Sequence, residues 1–176
     1  MSYITLAEAK TYLGIGGTAE DALLTSLIDA AQQVVEDHCL RRFEADSAEV
    51  YAFTREHIAG RTLILGCDLA EPVSVVNGDG STLAPADYTL LPRHRRPGYA
   101  IELDEQSGVQ WVTTAPIQVT GYWAYSTTPP EVITYVTKDI LGSLYHMYDR
   151  QGTLQDAPLA LTELAKHLLS GYRNVK

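Results

Sequence analysis

Only two cysteines, Cys39 and Cys67, occur among the 176 residues, far apart and in segments of different character. Two isolated thiols make no disulfide framework and fit a reducing cytosol. No apolar run approaches the roughly 20 residues that span a bilayer, so no membrane association is expected. Met1-Ser2-Tyr3-Ile4-Thr5 lacks a basic start followed by an apolar core, and a secretory signal is not expected either. Positive charge is scarce: 13 Lys and Arg stand against 22 Asp and Glu, a net charge of −9. Proteins that grip nucleic acid carry a basic footprint, because phosphate contacts dominate their affinity. This chain shows the reverse, and an acidic surface keeps DNA from adhering.

Recognisable chemistry is missing as well. There is no G-x-S-x-G elbow and no P-loop. His38, His57, His94, His146 and His167 are scattered, and none pairs with His, Cys or carboxylate at a known zinc spacing. Only a site assembled from distant residues would escape this reading. No catalytic residue, metal or cofactor is assigned, and the chain is not read as an enzyme. Gly14-Ile15-Gly16-Gly17-Thr18-Ala19 fits the dinucleotide pattern by letter, but a helix precedes it where a strand is required. Asn77-Gly78-Asp79-Gly80-Ser81 resembles the start of a calcium loop, yet Thr82 and Tyr88 occupy the places that need Gly and a bidentate Glu. A turn is the better reading of both. A helix-turn-helix reading of the first two helices fails on charge, since the second carries Glu20, Asp21, Asp29, Glu36 and Asp37 and no Lys or Arg before Arg41.

With 45% apolar and 20% charged residues, the composition is that of a globular protein. Thr5 and Glu8 have capping-box spacing, Leu6, Ala9 and Leu13 repeat at helical spacing, and Gly14 supplies a stop. Leu24, Leu27, Ile28, Ala31, Val35 and Cys39 form the apolar stripe of a second helix of about six turns, with Thr18 or Asp21 as its cap and Arg41 and Arg42 at its end. From Glu49 the pattern becomes β-prone: Val50–Thr54, Thr62–Leu65, Val73–Val76, a turn at Asn77–Gly80, then Tyr88–Leu91, Tyr99–Leu103 and Ile117–Thr120. Pro72, Pro85, Pro92, Pro97 and Pro116 lie near segment ends, where a missing N–H does least harm. Helix returns at Thr128-Pro129-Pro130-Glu131, read as a capping box with proline at the first helical position. Ile133, Val136, Ile140, Leu144 and Met147 form its stripe, and Gly152 its end. A last helix is predicted from Pro158, with Asp156 as cap and Leu161, Leu164, Ala165, Leu168 and Tyr172 as its apolar face.

The predicted fold is mainly α with a β insertion (α+β). A small helical bundle takes residues 1–47 and 127–176, and an antiparallel β subdomain takes residues 48–126. Arg93-His94-Arg95-Arg96, bounded by Pro92 and Pro97, is the densest basic cluster. It serves either as a contact for DNA phosphate or an acidic neighbour, or as a solvated turn. Tyr122, Trp123 and Tyr125, then Tyr135, Tyr145 and Tyr148, suit an interface or a core equally.

Two framing stretches resemble the head–tail connector (adaptor, or head-completion) proteins of tailed bacteriophages and prophages. The first runs Ile4-Thr5-Leu6-Ala7-Glu8-Ala9-Lys10, Tyr12-Leu13, Asp21-Ala22-Leu23-Leu24 and Leu27-Ile28-Asp29-Ala30-Ala31 to Cys39-Leu40-Arg41-Arg42-Phe43. The second runs from Pro129-Pro130-Glu131-Val132-Ile133 to Leu144-Tyr145 and Tyr148-Asp149-Arg150. Between them Glu71–Val76, Asp87-Tyr88 and Ile117-Gln118-Val119 are similar to members with a longer β insert. The resemblance implies a virion protein of the head–tail interface, assembled in the host cytoplasm. It implies a structural ring with itself, twelvefold in the particle, between the portal protein and a stopper or tail-completion protein, with DNA passing through the lumen without sequence-specific binding. It carries over no catalytic residue. It suggests that the C-terminal segment docks on the portal, with Tyr172, Arg173 and Lys176 as candidate contacts, and that Arg93, Arg95 and Arg96 meet the lumen or a neighbouring subunit. The alternative function is a DNA-binding or DNA-packaging accessory protein that uses the Arg93–Arg96 loop.

Overall fold

Thr5 starts the first helix, α1 (Leu6–Leu13), in a complete capping box. The Thr5 hydroxyl accepts the Glu8 N–H at 3.2 Å and the Glu8 carboxylate accepts the Thr5 N–H at 2.8 Å. Gly14 ends it in the left-handed region at φ 70°, which costs glycine nothing. The computed structural model describes residues 2–151 and 161–174. In it the chain forms two compact units, Met1–Arg41 with Pro129–Lys176, and Arg42–Thr128.

The first unit is helical. α2 (Asp21–Cys39) buries the whole stripe Leu24, Leu27, Ile28, Ala31, Val35 and Cys39. Removing each large member from water stabilises the unit by roughly 1.5–3 kcal/mol. The expected side-chain cap does not form: Glu20 is the cap residue and makes no such bond. Asp21 instead takes the Lys10 ammonium at 2.6 Å, tying α1 to α2. α2 stops at Leu40, which sits at φ 54°, unusual for a residue with a β-carbon.

α3 (Glu131–Gln151) begins later than the letters suggest. Pro129 precedes Pro130, and a residue before proline is kept out of the helical region. The first accepted carbonyl is therefore that of Pro130, bonded by Thr134 N–H at 3.1 Å, and Thr128 is not the cap. Ile133, Val136, Ile140, Leu141 and Leu144 are buried as expected. Buried Thr137 returns its hydroxyl to the Ile133 carbonyl at 2.8 Å, so no polar atom is stranded there.

α4 (Glu163–Ser170) is capped by Thr162, whose hydroxyl accepts the Ala165 N–H at 3.1 Å. Gly152, Asp156 and Pro158 lie outside the described residues. The apolar face is rotated from the predicted one: Ala165 and Leu169 are buried, while Leu164 is 57% exposed. α2 packs chiefly on α3, with α1 and α4 against both. Lys138 of α3 reaches Glu8 of α1 at 3.1 Å, and Tyr145 of α3 donates to Glu20 at 2.9 Å.

The second unit is β-rich. Its strands are β1 (Glu49–Phe53), β2 (Ile58–Ala59), β3 (Thr62–Leu69), β4 (Glu71–Val76), β5 (Tyr88–Leu91), β6 (Gly98–Leu103) and β7 (Ile117–Tyr122), with a 3-10 turn at Arg55–His57. They form two antiparallel sheets, ordered β1-β7-β4 and β2-β3-β6-β5. Leu63, Leu65 and Leu69 of β3, Val75 of β4, Ile101 and Leu103 of β6, and Ile117 and Val119 of β7 build one core with Phe53 and Trp123. Alternate residues of β3 point away, leaving Ile64 48% exposed.

One extended run serves both sheets. β3 ends at Leu69 and β4 starts at Glu71, so the chain changes sheet at Ala70, whose N–H bonds the Tyr122 carbonyl at 2.8 Å. The crossing needs Gly121, because a β-carbon there would stand 2.6 Å from Leu69 Cδ1 and 2.7 Å from the Glu71 oxygen.

Asn77 explains how the long stretch between β6 and β7 is held. The side chain is 97% shielded from solvent at a relative exposure of 3%. Its Nδ2 donates to the Gln110 carbonyl at 2.8 Å, and its Oδ1 accepts the N–H groups of Val112 at 2.9 Å and Gly78 at 3.0 Å. Gly78 adds bonds to Val112 and Ala115, and a β-carbon on it would sit 2.3 Å from both of their carbonyl oxygens. The predicted turn is thus also a clamp.

Replacing Asn77 with Ala strands the Gln110 carbonyl and the Val112 N–H, and should lower unfolding free energy by about 2–3 kcal/mol in urea titration. Glu8 gives a pH signature. Its hydrogen bonds to Thr5, helped by Lys138, hold its carboxyl down from 4.5 to about 2. Its contribution is therefore full above about pH 4.5 and is lost as pH falls through about 2. Glu8 is 45% exposed, so solvent screening keeps the effect under about 1 kcal/mol. The melting-temperature advantage of wild type over Glu8→Gln should be present at pH 5 and shrink towards pH 2.

Candidate interaction surfaces

The basic cluster lies on the six-residue connection between β5 and β6, where Arg93, His94, Arg95 and Arg96 are all exposed. Arg93 Nη2 is paired with Glu102 Oε2 of β6 at 2.9 Å, which neutralises part of the local charge. Arg96 turns to the Arg95 carbonyl at 3.5 Å and borders a hollow of about 360 Å³ with Glu71, Tyr125 and Ser126. The loop brings the three arginines together on one exposed tip, as the sequence placed them.

The predicted C-terminal contacts follow α4. Tyr172 is half-buried and its N–H bonds the Leu169 carbonyl at 2.9 Å, while Arg173 is exposed. Asn174 N–H bonds the Cys39 carbonyl at 2.8 Å, which fastens this segment to the end of α2. Lys176 lies outside the described residues.

The aromatic cluster divides. Trp123 is a core residue, 4% exposed, with its indole N–H on the Glu49 carbonyl at 2.9 Å. Tyr122 and Tyr125 are half-buried. Tyr135 is 52% exposed, and Tyr12, which belongs to the first framing stretch, is 49% exposed. Tyr12 borders an open cleft of about 510 Å³ between α1 and α3 with Asp139, Gly142 and His146. Burial first, then the Asp139 charge and Tyr135, pushes the Tyr12 phenol up. No local pattern marks Tyr12, since it takes its place from the packing of α1 on α3 rather than from its neighbours in sequence.

A second hollow, of about 420 Å³, is lined by Arg55, Arg61 and Trp111 among others. Arg61 is spent on structure: its guanidinium donates to the Leu103 carbonyl at 3.0 and 3.1 Å and to the Asp104 carbonyl. Trp111 closes the arrangement with a 2.9 Å bond to the Arg61 carbonyl.

Thr54 Oγ1 stands 3.3 Å from His57 Nδ1, but the pair is the capping box of the 3-10 turn, with Thr54 exposed and His57 half-buried. Cys39 is buried, and burial pushes its thiol up to about 11, far from a reactive thiolate. Among the described residues no group of three or more His, Cys, Asp or Glu stands together as a metal site. No helix there is long and apolar enough to cross a membrane.

Residues 3–59 match the family described as phage gp6-like head-tail connector protein. They take in α1, α2 and β1, and the match ends on β2. No curated protein matches the chain in sequence. Among solved structures, a chain from the neck of an empty GTA particle, computed with C6 symmetry, superposes with a TM-score of 0.65 at 19% identity. The alignment covers 99% of this chain and 91% of that one. A chain from the neck of a native GTA particle, computed with C12 symmetry, gives 0.66 at 17% identity, covering 97% and 88%. Such identities establish a shared fold, and it extends through both units. The chain carries the sequence signature of the phage gp6-like head-tail connector family in residues 3–59, on a fold that recurs over its whole length in neck proteins of GTA particles.

Proposed function

We propose that the protein is a structural, non-catalytic subunit of a phage or prophage head–tail connector ring. The observation that carries this reading is the family match over residues 3–59, which falls on two helices and the strand that follows. The neck proteins of similar fold come from particles treated with sixfold and twelvefold symmetry, which favours a ring of copies. In this reading one face of the ring meets the portal, the other meets a stopper or tail-completion protein, and DNA passes through. A net charge of −9 suits a conduit that must release its cargo. A ring repeats a head-to-tail contact, so each subunit presents two different surfaces to its neighbours.

The β5–β6 tip, with Arg93, Arg95 and Arg96, is assigned to the lumen or to an adjacent subunit. Arg173, with Tyr172 beside it and Lys176 beyond, is assigned to the portal. Asn174 fastens the segment after α4 to Cys39, so residues 171–174 offer a fixed patch.

Mixing the chain with its cognate portal should yield a complex of ring mass by light scattering. A chain that stays monomeric and never associates with the portal would overturn the reading. Arg173→Glu should weaken portal capture tenfold or more while leaving the melting temperature unchanged, because its side chain is exposed and a buried interface arginine contributes about 2 kcal/mol. Duplex DNA should not be retarded at about 0.15 M salt. Retardation that fades with salt and disappears when all three tip arginines become Ala would favour the accessory-protein alternative.

A further inference from the structure

Leu40 has the wrong backbone and the wrong surroundings for a leucine. It lies at φ 54° and ψ 38°, and among the described residues it is the only one besides glycine with a positive φ. A β-carbon crowds the backbone in that region, and α1 ends there on Gly14 instead. The Leu40 side chain is 61% exposed, more than any other large apolar residue described. The cap itself needs no side chain, since the Leu40 N–H bonds the Glu36 carbonyl. Glycine would end α2 with less strain and less exposed apolar surface. Strain of this kind persists where something other than folding requires the residue.

The helical unit also holds a place for such a side chain. The cleft of about 510 Å³ between α1 and α3 is walled by Tyr12, Leu13 and Gly142. Gly142 stands inside α3, where glycine weakens a helix relative to alanine. Its missing side chain keeps the cleft open, because a β-carbon there would come 3.4 Å from Tyr12 Cε1. The charges agree with the shapes. Burial raises the Cys39 thiol, and Arg41 and Arg173 stand near enough to pull it back, so the end that carries Leu40 is positive. At the cleft, Asp139 accepts the Thr162 hydroxyl at 3.3 Å and joins no ion pair among the described residues.

The two features lie towards opposite ends of α2. Tyr145, beside the cleft residue His146, bonds Glu20 at the start of α2, and Leu40 follows its last residue. Nineteen residues of helix separate those ends by roughly 28 Å. The leucine and the cleft therefore cannot meet within one subunit. Between copies they form two unlike surfaces, which is what a head-to-tail contact uses.

We propose that Leu40 of one copy inserts into the Tyr12–Gly142 cleft of the next, as the repeating contact of the ring. This rests on the ring reading and deepens it by naming the residues that join neighbours.

Sedimentation velocity from about 1 to about 300 μM should show the wild-type chain growing past dimer towards ring mass. Leu40→Gly should melt about 2–4 °C higher, because the strain is relieved, and yet associate at least tenfold more weakly. Gly142→Leu fills the cleft and should likewise fail to associate while keeping its helical circular dichroism. Tyr12→Asp, at a half-exposed position, takes its place if α3 does not tolerate leucine. Mixed in equal amounts, the leucine-deficient and cleft-deficient variants should give a 1:1 dimer and nothing larger, since one supplies the cleft and the other the leucine. A wild-type chain that stays monomeric, or stops at dimer, overturns the contact and leaves the ring to its own test on the portal. Ring mass unchanged in Leu40→Gly upholds the ring and overturns the contact. A Leu40→Gly chain that loses stability along with association overturns it too, as does a mixture without the 1:1 dimer.

Discussion

The α2 stripe is the constraint on which the helical unit depends. Leu24, Leu27, Ile28, Ala31, Val35 and Cys39 present one continuous apolar face, and α1 is too short to cover it. The cover is α3, which the chain reaches only after Arg42–Thr128. A helix of this kind gains most of its stability from tertiary packing and not from its own hydrogen bonds. The beginning and end of the chain therefore stand or fall as one unit. Polar ties add direction where apolar burial is indifferent to angle: Lys10 to Asp21 sets α1 on α2, and Lys138 to Glu8 sets it on α3.

The β unit solves a different problem. Seven short strands cannot share one flat sheet and still enclose a core, so the chain changes sheet without pausing between Leu69 and Glu71. Gly121 permits the crossing by offering no side chain where Leu69 and Glu71 come close. The remaining irregular stretch is held by the Asn77 amide, which meets one carbonyl and two N–H groups in a dry setting. A buried network is stabilising only when every member is satisfied, and this one is specified by a single residue.

The features set by period and by punctuation were legible in the sequence. The six buried positions of α2, the capping box at Thr5, six of the seven strands and the connector resemblance all follow from spacing and order. The misreadings share a cause. Thr128 has the letters of a cap, but Pro130 keeps Pro129 out of the helix. The face of the last helix was phased from Pro158, whereas the cap is Thr162, and the phase error exposes Leu164 and buries Leu169. Surface exposure was the least legible property. Val50 and Tyr12 have ordinary local patterns, and only the completed sheet and the packed helices leave them uncovered. A basic cluster between prolines is visible in the sequence, whereas the pairing of Arg93 with Glu102 on the adjoining strand is not.

The order of the helices along the chain also sets an order in time. α1 and α2 leave the ribosome before α3, with their stripe bare. Translation at about 5–20 residues per second leaves an interval on the order of 5–20 s before α3 follows. The β unit, whose strands are contiguous in sequence, has everything it needs to fold within that interval. The helical unit does not. Its nascent face is open to chaperones, or to the wrong helix, until α3 has been made.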